Sequence, residues 1–368
     1  MKIVEIVPQL ASGGGERFVV DLCNELAQMG HEVLLIVLHR LDNPLLSFYL
    51  PEVDSQVTVK SMNKRKGFDL TLSNRIKREI ENFRPDIVHT HLNGIVYTAL
   101  VALTFRNVTK YFHTVHSSAP EEAGNKLTAC VRKQMFRRHC FTPVTISEVS
   151  HRSFREFYGL EAPMIFNGRN IPSALKPSVS VTNEIASLKV YPESKIIVNL
   201  ARIMTVKRQN LIARVCKRLE NEGYNFTLLM IGRKGDQEIV DKIERTMCSN
   251  VHMLGERSNP LEYLAAADGY CLMSSYEGMP ISLIEALGCG AVPICTPVGG
   301  IVNVINDGEN GFLATDISED ACYIALKRFL DTTPEQLTRL KLAAKISYQP
   351  FSMTECASNY ITLFNKHR

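Results

Sequence analysis

The chain has 368 residues, 45% hydrophobic and 22% charged, the balance of a soluble globular protein too long for one ordinary core, so two domains are expected. No apolar run approaches the length needed to span a bilayer, and the opening Met1–Val7 reads as a strand rather than a signal peptide. The net charge is +4 and uneven: residues 1–180 carry 22 Lys and Arg against 17 Asp and Glu, a net of +5 that leaves −1 for the remainder.

The positive excess gathers at Lys64-Arg65-Lys66, at Arg75, Lys77 and Arg78, and at Arg132-Lys133 with Arg137-Arg138-His139. Such runs are either solvated helix faces or a surface for anionic lipid headgroups or a phosphate-bearing acceptor. No recognition module or interleaved aromatic pattern for nucleic acid accompanies them. The ten cysteines form no C-x-x-C pair, which argues against a zinc or redox motif and fits free thiols in a reducing cytosol.

In chain order, residues 2–8 read as a strand, and Ala11–Arg17, with Gly13, Gly14 and Gly15, as a tight turn into a helix through Met29. Glycines there let a backbone approach a ligand closely, and a helix start favours anions; an ordinary strand-to-helix connection reads the same way. The spacing is not G-x-G-x-x-G, so no dinucleotide site is supported. Strands at His31–Leu38, Pro85–His89 and Thr109–Val115 alternate with helices at Leu70–Asn82 and Gly94–Thr104. His89, His91, His113 and His116 fall at or near strand ends, either as packed hydrogen-bonding residues or facing a cleft. The pair His89-x-His91 lacks a third ligand, so no metal is expected.

A basic helix around Ala119–His139, strand Phe141–Ile146, helix Ser147–Tyr158 and strand Met164–Phe166 follow. The pattern then dissolves through a Pro-rich stretch to about Ser194, read as a linker with one short helix. Alternation restarts at strand Lys195–Ala201 and a helix through Glu220. The turn between them, Arg202 to Arg208, places cations where they oppose the helix dipole but suit a phosphate. Solvated side chains are the alternative. Strand Phe226–Ile231, helix Gln237–Cys248, strand Val251–Leu254 and a short helix Leu261–Ala266 continue the series.

The most informative stretch is Ser274–Gly288. An apolar strand, Gly269–Met273, runs into a loop with Glu277, a turn at Gly278 and Pro280, and a helix from Ser282 carrying Glu285. First-turn N–H groups of that helix favour an anion, and Glu277 has no helical task. Glu285 has a second reading, because Ser282 and Glu285 also spell the S-x-x-E capping box. Strand Ala291–Cys295, the loop Thr296–Gly300, helices over 318–330 and 334–346 and a last helix Met353–Lys366 complete the chain.

Together Ala201-Arg202…Lys207, Ile231-Gly232, Leu254-Gly255, Ser275-x-Glu277-Gly278-x-Pro280…Glu285-Ala286…Gly288-x-Gly290-x-Val292-Pro293 and Pro297-Val298-Gly299-Gly300 resemble the large retaining glycosyltransferase family with the GT-B fold and the E-x7-E pair. That family includes bacterial mannosyltransferases, sucrose synthases and glycogen synthases. The resemblance implies an α/β fold of two Rossmann-like, doubly wound parallel-sheet domains facing a cleft. An acceptor domain over 1–172 is joined by a linker, 173–194, to a nucleotide-sugar domain over 195–351, and a helix over 352–368 crosses back.

It further implies that Arg202 and Lys207 grip the donor diphosphate, Glu277 binds hydroxyls of the transferred sugar, and Glu285 the ribose. The stretch Gly278-Met279-Pro280-Ile281-Ser282 to Leu283 meets the phosphates through its amides, Pro280 contributing none of its own; Gly14 and Gly15 line the donor; His116 lies near the reacting sugar. Gly232 belongs to the same motif, and Gly255-Glu256-Arg257 meets the base.

The implied reaction is metal-independent transfer, with retention, of a hexose or N-acetylhexosamine from a nucleotide sugar, by family weight a UDP-sugar, to a glycan or lipid-linked saccharide. It needs no cofactor and takes place in the cytoplasm or on the cytoplasmic membrane face. Front-face attack is favoured over a covalent intermediate. The alternatives are a non-catalytic sugar-nucleotide-binding subunit and a nucleotide-sugar epimerase. Ser117, Asn303 and Asn170 depart from the family pattern at positions that bear on the acceptor.

Overall fold

The alternation of apolar runs and amphipathic stretches forms two helix-covered parallel sheets in a computed structural model of the chain, which describes residues 1–367 except Lys66, Phe68, Leu70, Arg106 and Ser173. Lys66 of the first basic cluster, Leu70 at the expected helix start, Ser173 of the expected linker and Arg368 lie outside the described residues. The chain divides into two units, Met1–Asn170 with Pro350–Arg368, and Ile171–Gln349.

In the first unit β1 (Lys2–Val7), α1 (Gly14–Gln28), β2 (Glu32–Val37), β3 (Thr58–Ser61), α2 (Leu72–Phe83), β4 (Ile87–His91) and α3 (Gly94–Phe105) are followed by β5 (Lys110–Val115), α4 (Ala119–Ala123), α5 (Lys126–Arg137), β6 (Thr142–Thr145) and α6 (Glu148–Tyr158). The strand order is β3-β2-β1-β4-β5-β6, all parallel. Apolar runs such as Val33–Val37, and Ile3–Val7 interrupted by Glu5, are what a sheet covered on both faces requires. The order reverses between β1 and β4, and a crevice opens at the strands' carboxyl ends at such a point.

Three expectations are corrected here. β4 begins and ends two residues later than read, so His89 and His91 lie within the strand and are fully buried rather than at its rim. The expected basic helix over Ala119–His139 is two helices, broken at Gly124, whose φ of 70° leaves the helical region. Met164–Phe166 is no strand: Met164 makes a single bridge to Thr145, after which the chain turns to pair Arg169 with Ser352. β3 was not read from the sequence.

The second unit runs α7 (Val179–Leu188), β7 (Lys195–Leu200), α8 (Gln209–Asn221), β8 (Phe226–Ile231), α9 (Gln237–Thr246), β9 (Val251–Gly255), α10 (Pro260–Ala266) and β10 (Gly269–Leu272), then α11 (Ile281–Cys289), β11 (Val292–Cys295), β12 (Phe312–Leu313), α12 (Glu319–Leu330) and α13 (Pro334–Ser347). Its order, β12-β11-β10-β7-β8-β9, repeats the first sheet's topology, with the reversal between β7 and β10. The architecture is a two-domain α/β fold of the GT-B type. Residues expected as a linker contain α7, whose Glu184 accepts from Arg257 Nη2 at 2.8 Å and from the Tyr263 hydroxyl, tying it to the second unit.

The final helix, α14 (Met353–His367), belongs to the first unit. Met353, Cys356, Ala357, Tyr360 and Phe364 are buried with Phe18, Ile3 and Phe112 in one cluster. Large apolar side chains fully buried in this way contribute roughly 1.5–3 kcal/mol each.

Candidate functional site

In the second unit the loops after β7 and β10 are tied together. Ser275 N–H donates to Val206 O at 2.9 Å, and Thr205 Oγ1 donates to Asp236 Oδ2 at 2.6 Å. This places the residue after Val206, Lys207, on Glu277: Nζ donates to Oε1 at 2.6 Å and to Oε2 at 2.8 Å. Ser274 Oγ donates to the same Oε1 at 2.5 Å, and Thr296 Oγ1, from the end of β11, donates to Ser274 O at 2.6 Å. Glu277 is only 6% exposed, so its rotamer is set by a lysine, a serine and the wall around them.

Backbone contacts fix the loop as firmly. Gly300 N–H donates to Gly278 O at 2.6 Å, and the preceding Gly299 has φ 59°, where a Cβ would stand 1.9 Å from Glu277 O. Gly232, at φ 148°, lies against the end of β7, and a Cβ there would be 2.1 Å from Ala201 O. The chains leaving β7, β8 and β10 thus converge through positions that admit no side chain.

Helix α11 begins at Ile281, behind Pro280, and no side chain caps it. The capping-box reading of Ser282 and Glu285 is therefore corrected. Ser282 is inside the first turn, its Oγ paired with Tyr270 OH at 2.7 Å, and proline at the cap position offers no side-chain acceptor. Met279 and Glu285 are buried, the latter on the helix one turn in.

Of the remaining cations in this unit, Arg202 is exposed and lies over Gly235, whose Cβ would meet its Nε at 2.5 Å. The Arg208 guanidinium instead donates to Ile317 O at 2.7 Å, so the second cation weighed for the turn is held by the loop before α12. Arg257 donates to Leu254 O at 2.5 Å, to Tyr263 and to Glu184; these bonds to the α7 carboxylate raise its pKa.

The first unit gathers a second cluster at its own reversal point. Glu5 of β1 is fully buried beside its β4 neighbours: Oε1 lies 3.2 Å from His89 Nδ1 and Oε2 2.7 Å from His91 Nε2. His89 Nε2 is 2.7 Å from Thr114 Oγ1, itself 2.7 Å from Tyr360 OH, while His91 Nδ1 is 2.9 Å from His116 Nε2. Burial pushes the Glu5 carboxyl up while His91 pulls it back, and burial holds His89 and His91 well below the ordinary imidazole value.

His116 is held at both ends. Its backbone N–H donates to Glu122 Oε2 at 2.6 Å, and Glu122 Oε1 also meets His113 Nε2 at 2.9 Å and Arg132 Nη1 at 3.0 Å. Burial works to raise Glu122, but His113 and Arg132 outweigh it and hold the carboxyl down at about 2. Arg132, expected in a surface cluster, is 1% exposed and also donates to Leu92 O and Asn93 Oδ1, because this turn carries Leu92 at φ 52° and needs an anchor. The ring of His116 faces Gly15 of the glycine-rich turn, where a Cβ would lie 3.7 Å from its Cγ; Gly14 opens α1 beside it. Burial lowers the His116 pKa to about 4.

Among the described residues, Glu5, His89 and His91 are the group whose donor atoms, within 4.8 Å of one another, could surround a cation, so the fold supplies the third partner absent from His89-x-His91. Every one of those atoms is already at hydrogen-bond distance from another. Glu5 was missed by sequence reading; its signal is a carboxylate inside an otherwise apolar strand.

Two family descriptions match, "Glycosyl transferases group 1" over residues 180–347 and "Glycosyltransferase Family 4" over residues 12–171. The chain belongs to the GT-B glycosyltransferases of the group 1/family 4-like type. This glycosyltransferase is 23% identical to an N-acetyl-alpha-D-glucosaminyl L-malate synthase of Bacillus anthracis, covering 96% of this chain and 93% of that one. It is 24% identical to a UDP-Gal:alpha-D-GlcNAc-diphosphoundecaprenol alpha-1,3-galactosyltransferase of Escherichia coli, covering 79% and 76%. The crystal structure of Anabaena Alr3699/HepE in complex with UDP and glucose superposes with a TM-score of 0.81 at 17% identity, covering both chains fully.

Proposed function

We propose that this glycosyltransferase moves a hexosyl or N-acetylhexosaminyl group from a UDP-sugar to a saccharide or lipid-linked saccharide, with retention of anomeric configuration and without a metal. The observation that carries this reading is the Lys207–Glu277 pair at the reversal point of the second sheet, beside a helix start that no side chain caps. There Lys207, with Arg202, receives the departing diphosphate, electrostatic stabilisation of the kind a divalent ion supplies elsewhere. The first-turn amides of α11, behind Gly278 and Met279, face the phosphates. Glu277 turns to the sugar hydroxyls, Glu285 to the ribose, and Arg257 bounds the base. In the first unit, Gly14, Gly15 and His116 face the transferred sugar.

In the retaining step the C1–O bond to the diphosphate breaks as the acceptor oxygen bonds C1 on the same face. The acceptor proton passes to the departing phosphate oxygen. Glu277, already held by Lys207 and Ser274, acts on the sugar hydroxyls rather than as a nucleophile. The name of the E. coli relative and the UDP bound to the Anabaena protein support a UDP-sugar donor, and the B. anthracis name supports an N-acetylhexosaminyl group. The undecaprenol acceptor in the E. coli name supports a lipid-linked saccharide.

Association with an anionic membrane is part of the proposal. Leu100 and Leu103 of α3 and Leu127 of α5 are exposed, with Lys126 and Arg137 of α5 and Arg138 just after it. Among the described residues no helix is long and apolar enough to cross a membrane.

The test is nucleotide release from a panel of UDP-, GDP- and ADP-sugars, with and without saccharide and lipid-linked acceptors, and NMR of the product anomer. Acceptor-dependent UDP release with an α-linked product supports the reading. UDP binding without transfer or hydrolysis would instead describe a binding subunit, and an epimerised donor formed without acceptor an epimerase.

A further inference from the structure

The His116 ring carries an unused atom. Its Nδ1 is shut off from solvent and has no hydrogen-bond partner among the described residues, although Nε2 is paired with His91. A buried imidazole nitrogen left open is either a donor or an acceptor, and a ligand must match it. The contacts behind His116 determine which.

A carboxylate only accepts; burial raises the Glu5 pKa, and at a pH above it both rings facing the ionised Glu5 must donate. His91 then carries its proton on Nε2 and presents a bare Nδ1. That lone pair requires His116 to donate from Nε2, which leaves His116 Nδ1 as an acceptor. The second arm closes consistently. His89 donates from Nδ1 to Glu5, its Nε2 accepts from the Thr114 hydroxyl, and Thr114 accepts from Tyr360. Every contact of the cluster has one donor and one acceptor in this arrangement. Phe18, edge-on to His91 at 6.0 Å and to His116 at 5.5 Å, and Tyr360 enclose the rings.

We propose that Glu5, fully buried behind the two histidines, is a positioning residue: through His91 it fixes His116 as the Nε2–H tautomer and so presents His116 Nδ1 as a hydrogen-bond acceptor. The tautomer belongs to the first unit alone, and only its effect on turnover rests on the glycosyl-transfer reading.

The experiment is long-range 1H–15N correlation on the full chain with 15N-labelled histidine, His116 being assigned by loss of its signals in His116→Asn. In the ligand-free wild type at neutral pH, Nε2 is expected to carry the proton and Nδ1 to resonate as an unprotonated nitrogen. Glu5→Gln, whose amide must donate to one of the two rings, is expected to make the His116 tautomer mixed or reversed and to lower kcat/KM about tenfold with UDP affinity unchanged. Tyr360→Phe, at the far end of the other arm, is expected to leave the His116 tautomer as it is. A wild-type His116 protonated on Nδ1, a stoichiometric metal on Glu5, His89 and His91, or a folded Glu5→Gln with an unaltered His116 ring would each overturn the relay. The wild-type spectrum decides the matter even where Glu5→Gln does not fold.

Discussion

Gly299→Ala is the sharpest structural probe of the second-unit site, because it changes a residue that touches only the backbone behind Glu277. At φ 59° an alanine is strained by roughly 1–2 kcal/mol. Its Cβ would also stand 1.9 Å from Glu277 O, and contacts under 3.0 Å are essentially never tolerated, so the two backbones must part by more than an ångström. That displacement pulls against the Gly300–Gly278 bond and carries Glu277 away from Lys207 and Ser274. A misplacement of this size lowers turnover about 100-fold in well-oriented sites. Donor turnover and urea unfolding measured on the same preparation separate the two effects. The expected result is a stability loss of a few kcal/mol and a turnover loss near 100-fold. A folded Gly299→Ala protein turning over within threefold of wild type would refute the claim that this loop sets Glu277.

Acid should destabilise the first unit well above the range where carboxylates titrate. His116 binds a proton near pH 6.5 when unfolded but only near 4 when folded, so the unfolded chain holds more protons between those values and stability is lost as pH falls through that window, by at most about 3 kcal/mol from this residue. His89, His91 and His113 shift in the same direction, while Glu5, raised by burial, opposes them over the range between its ordinary and its raised pKa. A melting temperature unchanged between pH 7 and 5 would contradict this. Arg132→Met leaves Glu122 buried without its ionic partner and is expected to lower stability by about 3–5 kcal/mol, against less than ~0.5 for Lys133→Met beside it, read by urea unfolding.

Most of both sheets was legible because alternation of buried, largely apolar strands with amphipathic helices is a local signal, whereas β3, Thr58–Ser61, has no apolar run to announce it. The clusters at the reversal points were less so, since they join residues far apart in the chain. Glu5 and His91 are 86 residues apart and meet only because β1 pairs with β4, so a buried carboxylate in an apolar strand gave no hint of two imidazoles beside it. Lys207 and Glu277 are 70 apart, and only the family resemblance, not spacing, put them in one site. Arg132 shows the limit of charge counting. In sequence it is one of a basic run, and in the fold it is a buried strut under the Leu92 turn. Ser282 shows the limit of motif matching, because Pro280 starts the helix before the serine can cap it.

The central claim is that Lys207 and Glu277 hold the reacting ends of a sugar nucleotide. Its most direct test is steady-state, acceptor-dependent UDP release by wild type, Lys207→Ala and Glu277→Ala, with circular dichroism establishing that each is folded. The account predicts a fall in kcat/KM of about 100-fold or more for each variant, roughly 3 kcal/mol of transition-state stabilisation. Folded variants that release UDP within a few-fold of wild type would contradict it.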